Sequence, residues 1–320
     1  MERKRRKAAP FVSAASCRVS GTTIKENVLD GLTQAKTTSA AVEKFNLDTV
    51  PLTFSDSSIL AEACGCDVKI TENDVPSIVS HPVKTLEDIA KLRIPDPTKE
   101  GRIPEFLKAA KLLSKQFPNR SKSAMAIAPF TFAGQLAGVE YLSKMTIKDP
   151  DFVRKLLDFC LEANIVFIEA LIEAGATSIF LGDPTASLLS KKAYAKFAGC
   201  YTKKLVDRVT LPVSLHICGN SSHIIEEMCA TGVRAISVDS PVDIPSIVHR
   251  VPPNILIIGN ISPVGTLRTG TPEDVAKETR ELLEQMRNVP NYVMATGCDS
   301  AFDTPFENIE AMIDTVKNFG

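Results

Sequence analysis

Eight short runs rich in β-branched and apolar residues, separated by stretches of helical periodicity, set the tightest constraint on how this chain can fold. The runs lie at residues 10–16, 49–54, 124–129, 177–182, 211–217, 234–239, 255–260 and 292–296. Between them, residues 104–116, 149–174 and 272–287 repeat apolar side chains at intervals of three and four, the pattern of helices with one buried face. Strand followed by helix, repeated, requires right-handed crossovers and a parallel sheet, and eight such strands close into a barrel. The predicted fold is therefore α/β, a single (β/α)8 TIM barrel. The stripe Phe152, Val153, Leu156, Leu157, Cys160, Leu161 and Ile165 is read as packing alone.

Residues 64–123 carry Pro76, Pro82, Pro95, Pro97 and Pro104, and read as a proline-rich excursion after the second strand rather than a linker between domains. Residues 1–9 read as a basic, frayed N-terminus, and 10–320 as the barrel. The opening Met1-Glu2-Arg3-Lys4-Arg5-Arg6-Lys7 has the charge of a secretory leader, but Pro10, Ser13 and Ser16 spoil the apolar stretch that should follow.

Lys and Arg number 37 against 38 Asp and Glu, a net charge of −1, so no overall basic field points to nucleic acid. The apolar run at 255–258 falls far short of the roughly 20 residues that span a bilayer. A cytoplasmic protein with reduced thiols is expected, which turns attention from disulfides to the chemistry of its eight cysteines.

Leu215-His216-Ile217-Cys218-Gly219-Asn220 closes the fifth run. Residues two apart on a strand share a face, so His216 and Cys218 point together while Ile217 points away. Cys298 follows the eighth run, and in a barrel the ends of distant strands open onto one face. A Cys2His set with a free fourth position suits catalytic zinc. Two thiolates cancel the charge of Zn²⁺ and favour a sulfur nucleophile. The same three residues also fit a buried histidine with two inert, apolar thiols. Cys64-Gly65-Cys66 lacks a nearby histidine or a second cysteine pair, and Cys17, Cys160, Cys200 and Cys229 stand alone.

Asp56, Asp183 and Asp239 follow strand runs and are the candidate catalytic carboxylates, with capping of the next helix as the alternative. Asn220 and Asn260 also end strands, where they cap a helix or contact a ligand. No G-x-G-x-x-G, P-loop or G-x-S-x-G motif is present.

The His216-Ile217-Cys218-Gly219-Asn220 and Gly297-Cys298 segments resemble the methylcobamide:coenzyme M methyltransferases of the uroporphyrinogen decarboxylase superfamily. Ser80-His81-Pro82, Gly101-Arg102-Ile103-Pro104, Gly182-Asp183-Pro184, Gly259-Asn260-Ile261-Ser262-Pro263 and Thr304-Pro305-Phe306-Glu307-Asn308 add to the likeness. The resemblance implies zinc on His216, Cys218 and Cys298, and ligand contacts from His81, Asn220 and Asn260. It also implies methyl transfer from a methylated corrinoid, carried by a partner protein, to the thiol of coenzyme M. Tetrahydrofolate is the alternative acceptor. Phe54-Ser55-Asp56 is similar to a decarboxylase motif and keeps a tetrapyrrole enzyme as the other reading, although the expected arginine-rich N-terminal signature is missing. A binding module without turnover is the reading from a different class. For the sulfonate of coenzyme M, Arg18 and Arg102 are the candidates.

Overall fold

The computed structural model describes residues 6–319, and ten strands occur among them. Eight form one parallel sheet: β1 (Ala8–Ala9), β2 (Thr49–Pro51), β5 (Ser121–Ile127), β6 (Ser178–Gly182), β7 (Val213–Ile217), β8 (Ala235–Val238), β9 (Leu256–Ile261) and β10 (Tyr292–Thr296). Their order is β1-β10-β9-β8-β7-β6-β5-β2, so the sheet curls into the predicted (β/α)8 barrel. Among the described residues β1 and β2 share no ladder. That seam is crossed instead by the Ser55 backbone N–H, which donates to Ser13 Oγ at 2.8 Å.

Alternation along β7 shows how sequence places the site. Val213, Leu215 and Ile217 are buried at 1%, 0% and 0% exposure on the strand face opposite His216. Each such side chain contributes about 1.5–3 kcal/mol through burial, and a slip of one residue would exchange the two faces. His216 is thereby held to the other face.

The excursion after β2 contains the antiparallel pair β3 (Val68–Lys69) and β4 (Ser77–Ile78) and the helix Leu86–Lys91. It runs into the expected helix at 104–116: Ile103–Gln116 is a regular helix of the barrel's outer layer, with Pro104 in its first turn, where a missing N–H costs nothing. Asp149 caps the long helix Pro150–Glu173 by accepting from Phe152 N at 3.0 Å.

The first expected strand, 10–16, is the chief correction. β1 lies earlier, at Ala8–Ala9, and Ser13–Ser20 is a helix. Its N-terminal amides, Ser13 N at 2.8 Å and Ala14 N at 3.3 Å, donate to the Asp299 carboxylate. A capping group 285 residues away in sequence leaves no local signal. The frayed terminus is corrected in part: Arg6 donates to the carbonyls of Met286 and Arg287, both at 2.8 Å, and Ala8–Ala9 pairs with β10. Residues 1–5 of that basic run lie outside the described residues. No helix among the described residues is long and apolar enough to cross a membrane.

Candidate metal centre

Three expected ligands converge at the C-terminal end of the barrel. His216 Nε2 lies 3.1 Å from Cys218 Sγ, and Cys218 Sγ lies 3.6 Å from Cys298 Sγ. All three donor atoms fall within 4.8 Å of one another, the one such group among the described residues. Tetrahedral zinc, with bonds of about 2.0–2.3 Å, needs donors roughly 3.3–3.8 Å apart. One nitrogen and two sulfurs at this spacing can hold a metal ion.

Backbone packing produces the convergence. Gly297 N donates to Ile261 O at 2.8 Å, tying the chain after β10 to β9. A Cβ at Gly297 would meet Ser240 N at 2.6 Å and Asp239 Oδ1 at 2.8 Å, so only glycine lets Cys298 approach the end of β8. Gly219, at φ +74°, turns the chain directly after Cys218, and its N–H donates to Asp239 Oδ2 at 2.8 Å.

Of the eight cysteines, only Cys298 has its thiol pushed down, to about 5. The Cys218 thiol donating to it is the largest cause, and His216 adds to the effect. Cys218 is correspondingly pushed up, because its proton is held for Cys298 and it is half-buried. Burial pushes the Cys17, Cys64 and Cys66 thiols up to about 12. Cys298 at the barrel mouth is thus the thiol favoured as a thiolate, and Cys64-Gly65-Cys66 is not.

The expected carboxylates each accept hydrogen bonds from neighbouring segments. Asp239 joins two loops, accepting from Gly219 N with one oxygen and from Ser240 N at 2.6 Å with the other. Asp56 is 4% exposed and accepts from Ser58 N at 2.8 Å, Ser58 Oγ at 2.6 Å and the Arg102 guanidinium. Asp183 is fully buried, and its Oδ1 accepts from Thr131 N at 3.1 Å and Thr131 Oγ1 at 2.6 Å.

Asn260 Nδ2 donates to the carbonyls of Asp239 at 2.9 Å and Val242 at 2.6 Å, bracing the end of β8. Asn220 is exposed and accepts from Ser222 N at 3.1 Å. His81 is also exposed, outside the ligand cluster, and its Nδ1–H donates to Gln135 O at 2.7 Å. Neither candidate for the sulfonate is free: Arg18 donates to Thr304 O at 3.0 Å and lies 4.8 Å from the Phe306 ring centre, while Arg102 also donates to Glu62 at 2.7 Å.

Sequence reasoning missed the surroundings of His216. Ser237 Oγ is 3.0 Å from Nδ1, Phe180 stacks on the ring at 5.5 Å and Phe11 meets it edge-on at 6.2 Å. Ser237 was within reach, because it lies in the predicted strand 234–239, the neighbour of the His216 strand. Asp299, beside Cys298, was also missed; burial pushes it up to about 7, and the Cys298 charge adds to that.

Burial likewise pushes the Asp183 carboxyl up, to about 7, against the two Thr131 hydrogen bonds that lower it. In the unfolded chain it titrates near 3.9, so folding takes up a proton between about pH 4 and pH 7. Stability from this group is intact below that window and lost as pH rises through it, by up to about 4 kcal/mol. Asp183→Asn keeps an acceptor for Thr131 and cannot ionise. Urea unfolding should find it roughly 1–3 kcal/mol more stable than wild type at pH 8 and equal near pH 4. Lower stability at pH 8 would show that the charged form has a partner. Asp299 titrates over the same window, so some pH dependence remains in the variant.

The model of the family described as Uroporphyrinogen decarboxylase (URO-D) matches residues 5–319. The chain is 36% identical over 271 residues to methylcobamide:CoM methyltransferase MtbA of Methanosarcina mazei, covering 82% of this chain and 78% of that protein. It is 32% identical over 286 residues to methylcobamide:CoM methyltransferase MtaA of Methanosarcina barkeri, covering 87% and 82%. The solved structure of a methyltransferase from Methanosarcina mazei matches 99% of this chain and 95% of its own, with a TM-score of 0.91 and 27% identity. With the barrel and the family match over residues 5–319 in agreement, the chain belongs to the uroporphyrinogen decarboxylase family.

Proposed function

We propose that this chain transfers a methyl group from a methylated corrinoid protein to the thiol of coenzyme M, with zinc on His216, Cys218 and Cys298. The observation that carries the reading is the meeting of one imidazole nitrogen and two thiols within 4.8 Å at the barrel mouth. Its similarity to proteins named methylcobamide:CoM methyltransferases supports the choice of reaction. When bound, Zn²⁺ supplies a Lewis acid that lowers the acceptor thiol's pKa and keeps it as a thiolate at neutral pH.

The chain's own residues set up that chemistry. Cys218 and Cys298 supply two negative charges that cancel those of Zn²⁺, which leaves an incoming thiolate electron-rich. Asp239 and Gly297 hold the two cysteine loops together before any ligand arrives, so little reorganisation accompanies binding. In the transfer a carbon–sulfur bond forms and the cobalt–carbon bond breaks. The electron pair stays on cobalt as Co(I), and the thiol proton leaves to solvent. The partner delivers its corrinoid to the barrel mouth, where the strand C-termini open.

The decarboxylase reading rests on Asp56, whose buried carboxylate already accepts from Arg102 and Ser58. The decisive assay supplies zinc-loaded protein with methylcobalamin and either coenzyme M or tetrahydrofolate, following Co(I) by absorbance. Methylation of coenzyme M alone is expected. Transfer to the pterin alone would reassign the acceptor, and transfer to neither would overturn the reading.

A further inference from the structure

Among the described residues, the Ser237 hydroxyl is the hydrogen-bonding group at Nδ1 of His216, at 3.0 Å. Strand pairing fixes the contact, because His216 of β7 and Ser237 of β8 are register partners. Both are buried, at 5% and 0% exposure, so the contact is shielded from bulk solvent. Phe180 stacks on the imidazole at 23° between planes, and Phe11 closes a second side. The ring is held with Nε2 toward the thiols and Nδ1 toward Ser237.

A metal ligated by Nε2 needs that atom's lone pair, which puts the ring proton on Nδ1. Ser237 Oγ is then the acceptor. Resting on the reading that zinc occupies this cluster, we propose that Ser237 is a positioning residue that holds the His216 ring and fixes its tautomer with Nε2 toward the metal. Histidine ligands often give this proton to a carboxylate, which raises the ligand's basicity. Here two thiolates already cancel the charge of Zn²⁺. A carboxylate at 237 would add negative charge behind the place where an anionic thiolate must arrive, and a hydroxyl does not.

Two measurements that need neither coenzyme M nor corrinoid test this. Zinc affinity, read by competition with a chromophoric chelator, should be about 10- to 100-fold weaker in Ser237→Ala, where Nδ1–H is left without a partner in a buried site. Ser237→Thr, which keeps the hydroxyl, should recover most of that loss. In the nitrogen-15 spectrum of the zinc-loaded wild type, His216 should show a protonated Nδ1 with slow solvent exchange, and exchange should quicken in Ser237→Ala. Unchanged zinc affinity in Ser237→Ala would overturn the proposal. If that variant does not fold, the wild-type spectrum decides: an unprotonated Nδ1 overturns the assignment, and a protonated, slowly exchanging one upholds it. Failure to methylate coenzyme M would count against the proposed reaction and leave these readouts intact.

Discussion

Cys298→Ala is expected to lower bound zinc from about one per chain to a small fraction, and to slow methyl transfer from methylcobalamin to coenzyme M by on the order of 10³-fold or more. Only His216 and Cys218 would remain as donors, and two protein ligands do not make a closed or a catalytic zinc site. Charge adds to the loss, because one thiolate no longer cancels Zn²⁺. The substitution should cost little stability. Cys298 is half-buried, its backbone is held through the neighbouring Gly297 N–H, and the Asp299 carboxylate still caps Ser13 and Ala14. Elemental analysis, thermal unfolding and the rate, measured on the same preparation, separate these effects. Cys66→Ala is the matched control, since that thiol is buried and contacts Gln135 O at 3.5 Å rather than the cluster. A Cys298→Ala protein that keeps its zinc and its rate would remove the thiol from the mechanism altogether.

The meeting of His216, Cys218 and Cys298 was legible because it obeys two local rules. His216 and Cys218 share a face by strand alternation, and Cys298 follows a strand that any parallel barrel must end at the same mouth. Seven of the eight strands fall within or beside their predicted runs for the same reason: their outward residues, such as Leu215 and Ile236, are fully buried, and burial is written into hydrophobic pattern. What sequence did not show is pairing across long separations. The helix at Ser13–Ser20 depends on Asp299, His216 depends on Ser237, and Asp56 depends on Arg102, 46 residues apart. An aspartate at a strand end looks alike whether it reaches substrate, joins two loops as Asp239 does, or sits buried and capped as Asp183 does. Only the neighbours distinguish these roles, and they come from other strands.

Arg102→Met puts one of those neighbours to the test and should cost about 3–5 kcal/mol of stability, because it leaves the Asp56 charge buried without its counterion. Arg102 is 7% exposed and bonded in several directions: to Asp56 through one terminal nitrogen, to Ser58 Oγ at 2.9 Å through the other, and to Glu62 at 2.7 Å through Nε. This network joins the loop after β2 to the start of the helix Ile103–Gln116, so its role is to hold an edge of the barrel. Methionine has a similar length and brings no charge, which limits the change in packing. Urea unfolding should show the loss in full, whereas the coenzyme M Michaelis constant, measured well below the melting range, should stay within about twofold of wild type. Adding Asp56→Asn should recover part of the stability, since removing both charges together avoids the uncompensated one. The opposite pattern, a Michaelis constant raised tenfold or more with stability unchanged, would mean that the guanidinium reaches the sulfonate and that its ion pair with Asp56 yields on substrate binding. The sizes of the two effects decide between these roles: several kcal/mol of folding free energy belongs to a buried ion pair, and about 1.4 kcal/mol, a tenfold change, to one lost contact with an anionic substrate.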